Sequence, residues 1–388
     1  MEIIDNFFAE FVDIAWGWQT AVLLLGAGVY FSLRTKLKPF RYLGYAFEVL
    51  IGKHPSKDEV GEVSHFRALT ASLSGTIGLG NIAGVAVAIQ LGGPGAIFWM
   101  WVTAVFGIAT KFFTATLSVL YRETGHDGKP NAGTMYIIKN GLPKYMLPLA
   151  YFFAFAGVIA GLPAFQANQV VQLTNDLYFP EVEYFKYYAG AFLVIVTAMV
   201  VLGGLKRIAN VSAWLVPFMG GLYLSAVLFA VLINYDQFLP AIGLIVSEAF
   251  SINSAVAGGL VGVILTGIKR GAFSNEAGIG TEALIHGTAK TTNPVKQGLI
   301  AMTGPIFDTL IMCTLTAVII LISGVWQTSD SSGVTLTSEA FLSTLGPLGP
   351  IILFVCVISF GMSTIFTYSY YGSACSKFLF GENSVRIY

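Results

Sequence analysis

Two glycine-rich clusters interrupt apolar segments of this chain, and both carry small polar side chains. The first cluster reads SGTIGLGN and places Gly75, Gly78 and Gly80 directly before Asn81. Glycine in a helix interior costs roughly 1 kcal/mol relative to alanine, so three in close succession predict an unwound stretch. Unwound backbone inside a membrane persists only where it lines a cavity or binds a ligand. The first cluster is therefore predicted to form part of a binding site, with close helix packing through small residues as the alternative.

The second cluster repeats this pattern and adds an acidic side chain. It reads GIKRGAFSNEAGIGTEAL, and its glycines surround Ser274, Asn275 and Glu276. An ionisable residue deep in an apolar segment indicates a function. Glu276 could neutralise a bound cation or carry a proton. A structural ion pair with Lys269 or Arg270 is the alternative.

The composition places both clusters in a membrane protein. Hydrophobic residues make up 55% of the 388 residues and charged residues only 11%, whereas a soluble domain carries about 25% charged residues. The mean hydropathy is +0.73, which is typical of a chain that crosses a bilayer repeatedly. These values exclude a soluble enzyme, a disordered chain and a coiled coil. The balance of 21 basic against 21 acidic residues leaves no excess positive charge for nucleic acid.

Sequence signatures of catalysis are missing as well. The chain has no phosphate-binding GxxxxGK[ST] motif, and its hydroxyls and four histidines show no nucleophile–base pattern. Its three cysteines are too few for a disulfide framework and form no CxxC pair. We therefore expect no enzyme activity and no organic cofactor.

The apolar segments predict an all-α polytopic membrane protein. A spanning helix needs about 20 mostly apolar residues, and strand-like alternation is absent. Nine segments qualify, at about 15–33, 68–91, 95–121, 146–173, 187–204, 209–233, 254–288, 297–323 and 347–376.

Lysine and arginine residues are concentrated on one side of this predicted bundle. Seventeen of the 21 fall in connections on that side, Lys186 falls on the other, and three lie within apolar segments. Basic loops stay in the cytoplasm, so this split places the N-terminus outside. The chain is predicted to be a multi-pass protein of the cell membrane.

The two clusters lie in the second and seventh predicted spans, which enter the membrane from opposite faces. Glycine-interrupted spans at matching positions of two inverted halves point to the binding site of a secondary transporter. We therefore predict one transporter domain over 1–388. It has an extra span at 15–33, repeat one at about 68–233 and repeat two at about 254–388. Repeat two holds three spans where five are expected, so the last two core helices are predicted to be absent from this chain.

Three stretches resemble the signature motifs of the alanine/glycine:cation symporter family. They are SLSGTIGLGNIAGVAVAIQLGGPGAIFWMW from Ser72, GIKRGAFSNEAGIGTEALIHGTAKT from Gly267 and QAN from Gln166. The resemblance covers most of the chain. It implies sodium-coupled uptake of alanine or glycine, and an inverted-repeat bundle like that of the bacterial leucine transporter. It also implies helices beyond Tyr388.

The resemblance also implies where an amino acid would bind. The substrate carboxylate would meet free N–H groups at the first break, and the ammonium would meet oxygens at the second. Phe273 would wall the pocket and limit substrate size, or else pack only against core or lipid. Gln166 would face the pocket, or else bond to a neighbouring helix. The predicted substrate-binding residues are Thr76, Gly78, Leu79, Gly80, Asn81, Gln166, Phe273, Ser274 and Asn275.

Sodium is the coupling ion that the resemblance implies. In the related fold, one ion lies between the first broken helix and the eighth core helix, which is the ninth span here. Ser363 and Thr364 in that span, with the carbonyls of Ser74 and Ile77, are the predicted ligands. The alternative is that both hydroxyls bond to carbonyls of their own helix.

The leading interpretation is a sodium-coupled symporter that takes up small neutral amino acids by alternating access as a monomer. A proton-coupled transporter that uses Glu276 is the first alternative, and a channel is the second. Channels usually assemble a filter symmetrically from several subunits, whereas the two breaks here differ in sequence and lie in one chain. The expected partners are alanine or glycine and the lipid bilayer, with no nucleic acid.

Overall fold

The structure is a computed structural model that describes residues 6, 10–12, 14–54, 60–125, 128–179, 181–251, 259–386 and 388. Residues 252–258, which include the start of the seventh predicted span, lie outside the described residues. The described chain is a bundle of helices, with one antiparallel pair of two-residue strands, β1 (Glu123–Thr124) and β2 (Pro130–Asn131). The prediction of a helical bundle is confirmed.

The first half of the bundle contains eleven described helices. Local sequence sets several of their ends. Ser64 caps α4 by accepting a hydrogen bond from the Arg67 N–H at 3.4 Å, and Gly161–Pro163 separate α8 from α9. The helices are α1 (Trp18–Arg34), α2 (Lys38–Arg41), α3 (Leu43–Leu50), α4 (His65–Thr76), α5 (Leu79–Gly92), α6 (Gly95–Leu120), α7 (Thr134–Gly141), α8 (Leu147–Ala160), α9 (Ala164–Tyr178), α10 (Phe185–Val201) and α11 (Gly204–Ile233).

The second half contains seven α-helices and a π-helical turn over Ile306–Cys313. Asn293 caps α15 through hydrogen bonds from the N–H groups of Val295 and Lys296, and Pro294 occupies the first helical position. The helices are α12 (Tyr235–Glu248), α13 (Gly259–Asn275), α14 (Ala283–His286), α15 (Pro294–Ala301), α16 (Thr314–Ser323), α17 (Val334–Leu345) and α18 (Leu348–Phe380). Three 3-10 turns lie at Lys144–Met146, Val325–Gln327 and Glu382–Arg386.

The nine predicted spans all correspond to helical segments of the described chain. Five helical stretches have the length and hydropathy to cross a membrane, and the bent pair α4 and α5 makes a sixth. The remaining three predicted spans correspond to α1, α10 and α13, which have 17 residues each. The five stretches are 95–120, 144–175, 204–233, 294–323 and 348–380.

The two broken helices pack against α6 in the centre of the bundle. Close approach of backbones makes this possible at Gly267 of α13. A Cβ there would lie 2.4 Å from the Ala96 carbonyl oxygen and 2.4 Å from the Trp99 Cβ. Glycine at position 267 therefore lets α13 cross α6 at backbone contact, which fixes the second break beside the first.

Candidate functional site

The first helix break lies between Thr76 and Leu79. Helix α4 ends at Thr76, Ile77 and Gly78 have extended backbones, and α5 begins at Leu79 with its axis turned by 41°. The Gly78 N–H donates to Asn81 Oδ1 at 2.9 Å. The N–H groups of Leu79 and Gly80 begin α5 and so have no acceptor within the helix. Neither N–H has an acceptor among the described residues, so the break offers two donors at the positive end of a helix, where an anion is stabilised.

The second break begins where α13 ends, at Asn275. Glu276 follows in the left-handed backbone region with φ +54°, a conformation that costs a non-glycine residue about 1–2 kcal/mol. Gly278 and Gly280 adopt φ values of +90° and +91°, and α14 starts at Ala283. The sequence prediction of an unwound stretch in this cluster is confirmed.

A pocket lies between the first break, the end of α13 and two further helices. The first break contributes Gly75, Thr76, Gly78, Leu79 and Gly80, and α13 contributes Phe273. Helix α9 contributes Phe165 and Gln166, and α18 contributes Thr364 and Tyr368. Six of the nine predicted substrate-binding residues line this pocket, namely Thr76, Gly78, Leu79, Gly80, Gln166 and Phe273.

Phe273 and Gln166 both line the pocket. Phe273 forms an aromatic wall, and Gln166 offers a polar amide. A Cβ built on Gly80 would lie 3.6 Å from the Phe273 ring, so the ring faces the backbone of the first break. Phe273 also packs edge-on against the Trp16 ring, with the two ring centres 6.1 Å apart. The Gln166 amide is buried at the pocket and has no hydrogen-bond partner among the described residues. In the described part of the chain, Gln166 therefore does not form the helix–helix hydrogen bond that was its alternative role.

The other three predicted residues, Asn81, Ser274 and Asn275, form a separate buried cluster. Its centre is Asp308 on the π-helical turn, which is fully buried. Asn81 Nδ2 donates to one carboxylate oxygen of Asp308 at 2.6 Å, and Ser274 Oγ donates to the other at 2.6 Å. Thr309 Oγ1 donates to that second oxygen at 2.8 Å and accepts from Asn275 Nδ2 at 3.2 Å.

This Asp308 cluster ties the two breaks together behind the pocket. Asn81 belongs to the first broken helix and Ser274 to the second, and Asp308 bonds to both. The sequence reasoning missed Asp308. A signal was present, since Asp308 is a lone carboxylate in the apolar span 297–323 and such residues indicate function.

The four predicted sodium ligands lie where α4 and α18 meet. Ser74 Oγ donates to the Ser363 carbonyl at 2.8 Å, and Ser363 Oγ lies 3.3 Å from the Ser74 carbonyl. Thr367, which sequence reasoning missed, donates to Ser74 Oγ at 3.1 Å. Ile77 lies in the adjoining break, outside both helices. Hydroxyl and carbonyl oxygens from both helices therefore lie close together at one buried place, and oxygen is the ligand type that a small hard cation prefers.

Ser363 and Thr364 also form the bonds to their own helix that were predicted as their alternative role. Ser363 and Thr364 both donate to the Phe360 carbonyl of their own helix, at 2.9 and 3.0 Å. A hydroxyl that donates in this way keeps its lone pairs free. Back-bonding to the helix and coordination of a cation are therefore compatible at Ser363 and Thr364.

Glu276 contacts the pocket through Tyr368. One carboxylate oxygen accepts from the Tyr368 hydroxyl at 3.0 Å and the other from Thr281 Oγ1 at 2.5 Å. Neither Lys269 nor Arg270 forms an ion pair with Glu276 in the described chain. The predicted alternative of such a pair is therefore wrong, because the left-handed backbone at Glu276 directs its side chain to Tyr368 and Thr281.

Comparison of the sequence with known protein families identifies the family to which the chain belongs. The family model of the sodium:alanine symporter family matches residues 1–388. The chain belongs to this family. It is an amino-acid symporter rather than an enzyme, and the resemblance seen in its motifs is confirmed. Its helices make it a multi-pass membrane protein.

Two curated relatives show the range of this symporter family. The sodium/alanine symporter AgcS of Methanococcus maripaludis is 41% identical over 385 residues, covering 97% of this chain and 84% of the relative. The probable sodium/glutamine symporter GlnT of Bacillus subtilis is 35% identical over 386 residues, covering 97% and 78%.

A solved structure shows the fold of the symporter. The crystal structure of MhsT in complex with L-phenylalanine superposes with a TM-score of 0.58 at 15% identity, covering 85% of this chain and 77% of that one. MhsT has the leucine-transporter fold. The predicted fold class, a helical bundle of this type with two broken helices, is confirmed.

Proposed function

We propose that this symporter couples the uptake of a small neutral amino acid, alanine or glycine, to the entry of sodium. The pocket between the first break and the end of α13 supports this function. It presents the Leu79 and Gly80 N–H groups for a carboxylate, the Gln166 amide for a polar contact, and the Phe273 ring as a wall. The name of AgcS, a sodium/alanine symporter, favours the same substrate and ion.

The residue that carries this proposal is Thr364. It lines the pocket, and it also stands next to Ser363 in the group of oxygens between α4 and α18. A Cβ built on Gly78 would lie 2.5 Å from Thr364 Oγ1, so this hydroxyl touches the backbone of the first break. A sodium ion held by Ser74, Ile77, Ser363 and Thr364 would thus fix the break in the shape that binds the substrate. This direct link supplies the coupling free energy that symport needs.

The further parts of the proposal concern architecture. We infer that the two breaks belong to inverted repeats at about 68–233 and 254–388, that the N-terminus is outside the cell and that the chain acts as a monomer. Alternating access would then rock one set of helices against the other around the central pocket.

Uptake of labelled amino acids into proteoliposomes tests this function. The purified full chain should accumulate alanine or glycine when an inward sodium gradient is imposed, and a proton gradient alone should not restore uptake. Competition by unlabelled alanine, glycine and glutamine ranks the substrates, because the relative GlnT is named for glutamine. Accumulation of none of these amino acids with a sodium gradient would contradict the proposal.

Proton coupling through Glu276 is the second candidate. The observation in its favour is the hydrogen bond between buried Glu276 and Tyr368, which brings an ionisable group to the pocket wall. In the same proteoliposomes, accumulation driven by a proton gradient without sodium would select this candidate.

A further inference from the structure

A second cavity lies between five helices at one end of the bundle, away from the pocket described above. Its volume is about 740 Å³. The end of α1, the turn after it and the start of α2 form the rim, α3 lines one side, and α6 and α15 form the floor. The lining residues are Arg34, Thr35, Lys36, Lys38, Pro39, Tyr42, Tyr45, Phe112, Val295 and Leu299.

The rim of this cavity is positively charged. Arg34, Lys36 and Lys38 lie within five residues of one another, and no acidic residue of the described chain lines the cavity. None of the three has a carboxylate partner within 4 Å among the described residues. Glu48, one turn beyond Tyr45 on α3, is paired with His54 at 2.9 Å. The rim therefore presents three unneutralised cations side by side.

The backbone at the rim is held in an uncommon conformation. Lys36 and Leu37 both adopt left-handed φ values, +51° and +57°. Two successive non-glycine residues in this region are uncommon. The turn keeps Arg34 at the end of α1 beside Lys36 and Lys38 at the start of α2.

The floor of the cavity is apolar. Phe112 and Leu299 belong to a small hydrophobic cluster that also contains Ala46, Ile108 and Met302. Tyr42 and Tyr45 stand between this floor and the charged rim, and both are exposed. Tyrosine in such a place is typical of a membrane–water interface, where one end of the ring is apolar and the other is wet.

The cavity is charged at its rim, carries Tyr42 and Tyr45 next to the rim, and is apolar at its floor. A phospholipid has the same order of parts, from the charged headgroup through the glycerol region to the apolar acyl chains. We propose that this cavity binds an anionic phospholipid, with the headgroup phosphate on Arg34, Lys36 and Lys38 and an acyl chain along Phe112 and Leu299. Basic pockets between membrane helices recognise anionic headgroups in this manner. The cavity lies at the membrane face that carries most of the lysine and arginine residues, where anionic lipid is attracted.

Lipid binding to the purified full chain tests this proposal. The protein in a neutral detergent is titrated with phosphatidylglycerol, phosphatidylcholine or glycerol phosphate, and bound molecules are counted by native mass spectrometry. Phosphatidylglycerol should bind in preference to the other two. Each lysine or arginine near an anionic lipid contributes roughly fivefold in affinity, so R34Q/K36Q/K38Q should weaken this binding on the order of a hundredfold.

Two further variants separate the cavity from general surface charge. R41Q/K53Q/K144Q removes the same charge from exposed residues outside the cavity and should leave phosphatidylglycerol binding intact. Val295→Trp keeps the charge but fills the cavity from its exposed edge, and should reduce binding of the lipid. Equal losses in the two triple variants would overturn the proposal. Binding of glycerol phosphate as tight as that of phosphatidylglycerol would also overturn it, since the cavity would then be a free-phosphate site.

Discussion

The Tyr368 hydroxyl donates a hydrogen bond to Glu276 at 3.0 Å, and this contact joins the wall of the substrate pocket to the second helix break. Tyr368 lies on α18 one turn beyond Thr364, a proposed sodium ligand. The same helix therefore touches the first break through Thr364 and the second through Tyr368. Binding of sodium at Thr364 would be transmitted along one rigid element to both breaks.

Removing the Tyr368 hydroxyl should weaken this transmission. In Tyr368→Phe, Glu276 keeps only the Thr281 donor among the described residues, and a hydrogen bond contributes about 0.5–1.5 kcal/mol. We expect the affinity for the amino acid to fall by roughly two- to tenfold, and sodium to increase it less than in the unaltered protein. Substrate binding is measured by scintillation proximity at several sodium concentrations.

Tyr370→Phe is the matched control, because Tyr370 lies on the same helix and its hydroxyl bonds, among the described residues, only to the Leu284 carbonyl at 3.5 Å. Equal behaviour of the two variants would mean that the Tyr368–Glu276 contact has no part in coupling.

The oxygens between α4 and α18 should set the sodium dependence. Ser363→Ala with Thr364→Ala removes two of the proposed ligands, and each is expected to contribute about 1–2 kcal/mol. The sodium concentration for half-maximal uptake should rise by roughly tenfold or more. It is measured by alanine uptake into proteoliposomes at increasing sodium.

The control for this pair removes two hydroxyls of α18 that bond only to their own helix in the part of the chain that the structure describes. Ser369 donates to the Ile365 carbonyl at 2.8 Å and Ser373 to the Tyr370 carbonyl at 2.9 Å. Replacement of both by alanine should leave the sodium dependence unchanged. If Ser363→Ala/Thr364→Ala also leaves it unchanged, the ion lies elsewhere.

Asp308 should stabilise the folded protein by holding the two breaks together. Asp308→Ala removes the carboxylate that accepts from Asn81 and Ser274, and each lost hydrogen bond costs about 0.5–1.5 kcal/mol. Asn81 Nδ2 keeps the main-chain carbonyl of position 308 as an acceptor at 3.2 Å. We expect a clearly lower unfolding temperature in detergent, and weaker binding of every substrate alike. Asp236→Ala is the control, because Asp236 is exposed on α12. An unfolding temperature equal to that of the control would exclude a structural role of Asp308.

Local and long-range features differ in how far the sequence predicts them. The breaks near Gly78 and Gly278 could be predicted because the preference of glycine for irregular backbone acts on its own neighbours. The contact of Asn81 with Asp308 could not, since 227 residues separate the two and nothing in either motif specifies the partner. Helices α12 and α17 likewise fall within predicted connections. Their sequences, with Asp236, Pro240 and Glu339, are too polar to predict a span.

The difficulty of predicting long-range contacts also explains why only some of the predicted site residues line the pocket. Gly80 and Phe273 meet across the pocket as the matching breaks suggested. Asn81 and Ser274, adjacent to them in sequence, face away toward Asp308. A helical side chain turns by about 100° from one residue to the next, so neighbours in a motif do not share a face. Which face meets the pocket depends on how α5 and α13 pack on the π-helical turn.

Phe273 should decide which side chains the pocket accepts. A methyl group in an apolar pocket contributes only about 0.8 kcal/mol, so a symporter for alanine must reject larger substrates by steric exclusion. Phe273→Ala opens space beside Gly80 while the Leu79 and Gly80 N–H groups remain. We expect valine and leucine to compete better for uptake in this variant, and alanine somewhat worse. Phe273→Leu should give an intermediate series, and Asn81→Ala should weaken all substrates equally because it loosens the shared carboxylate site. An unaltered competition series in folded Phe273→Ala would show that another side chain, with Phe165 the next in the pocket, forms the wall.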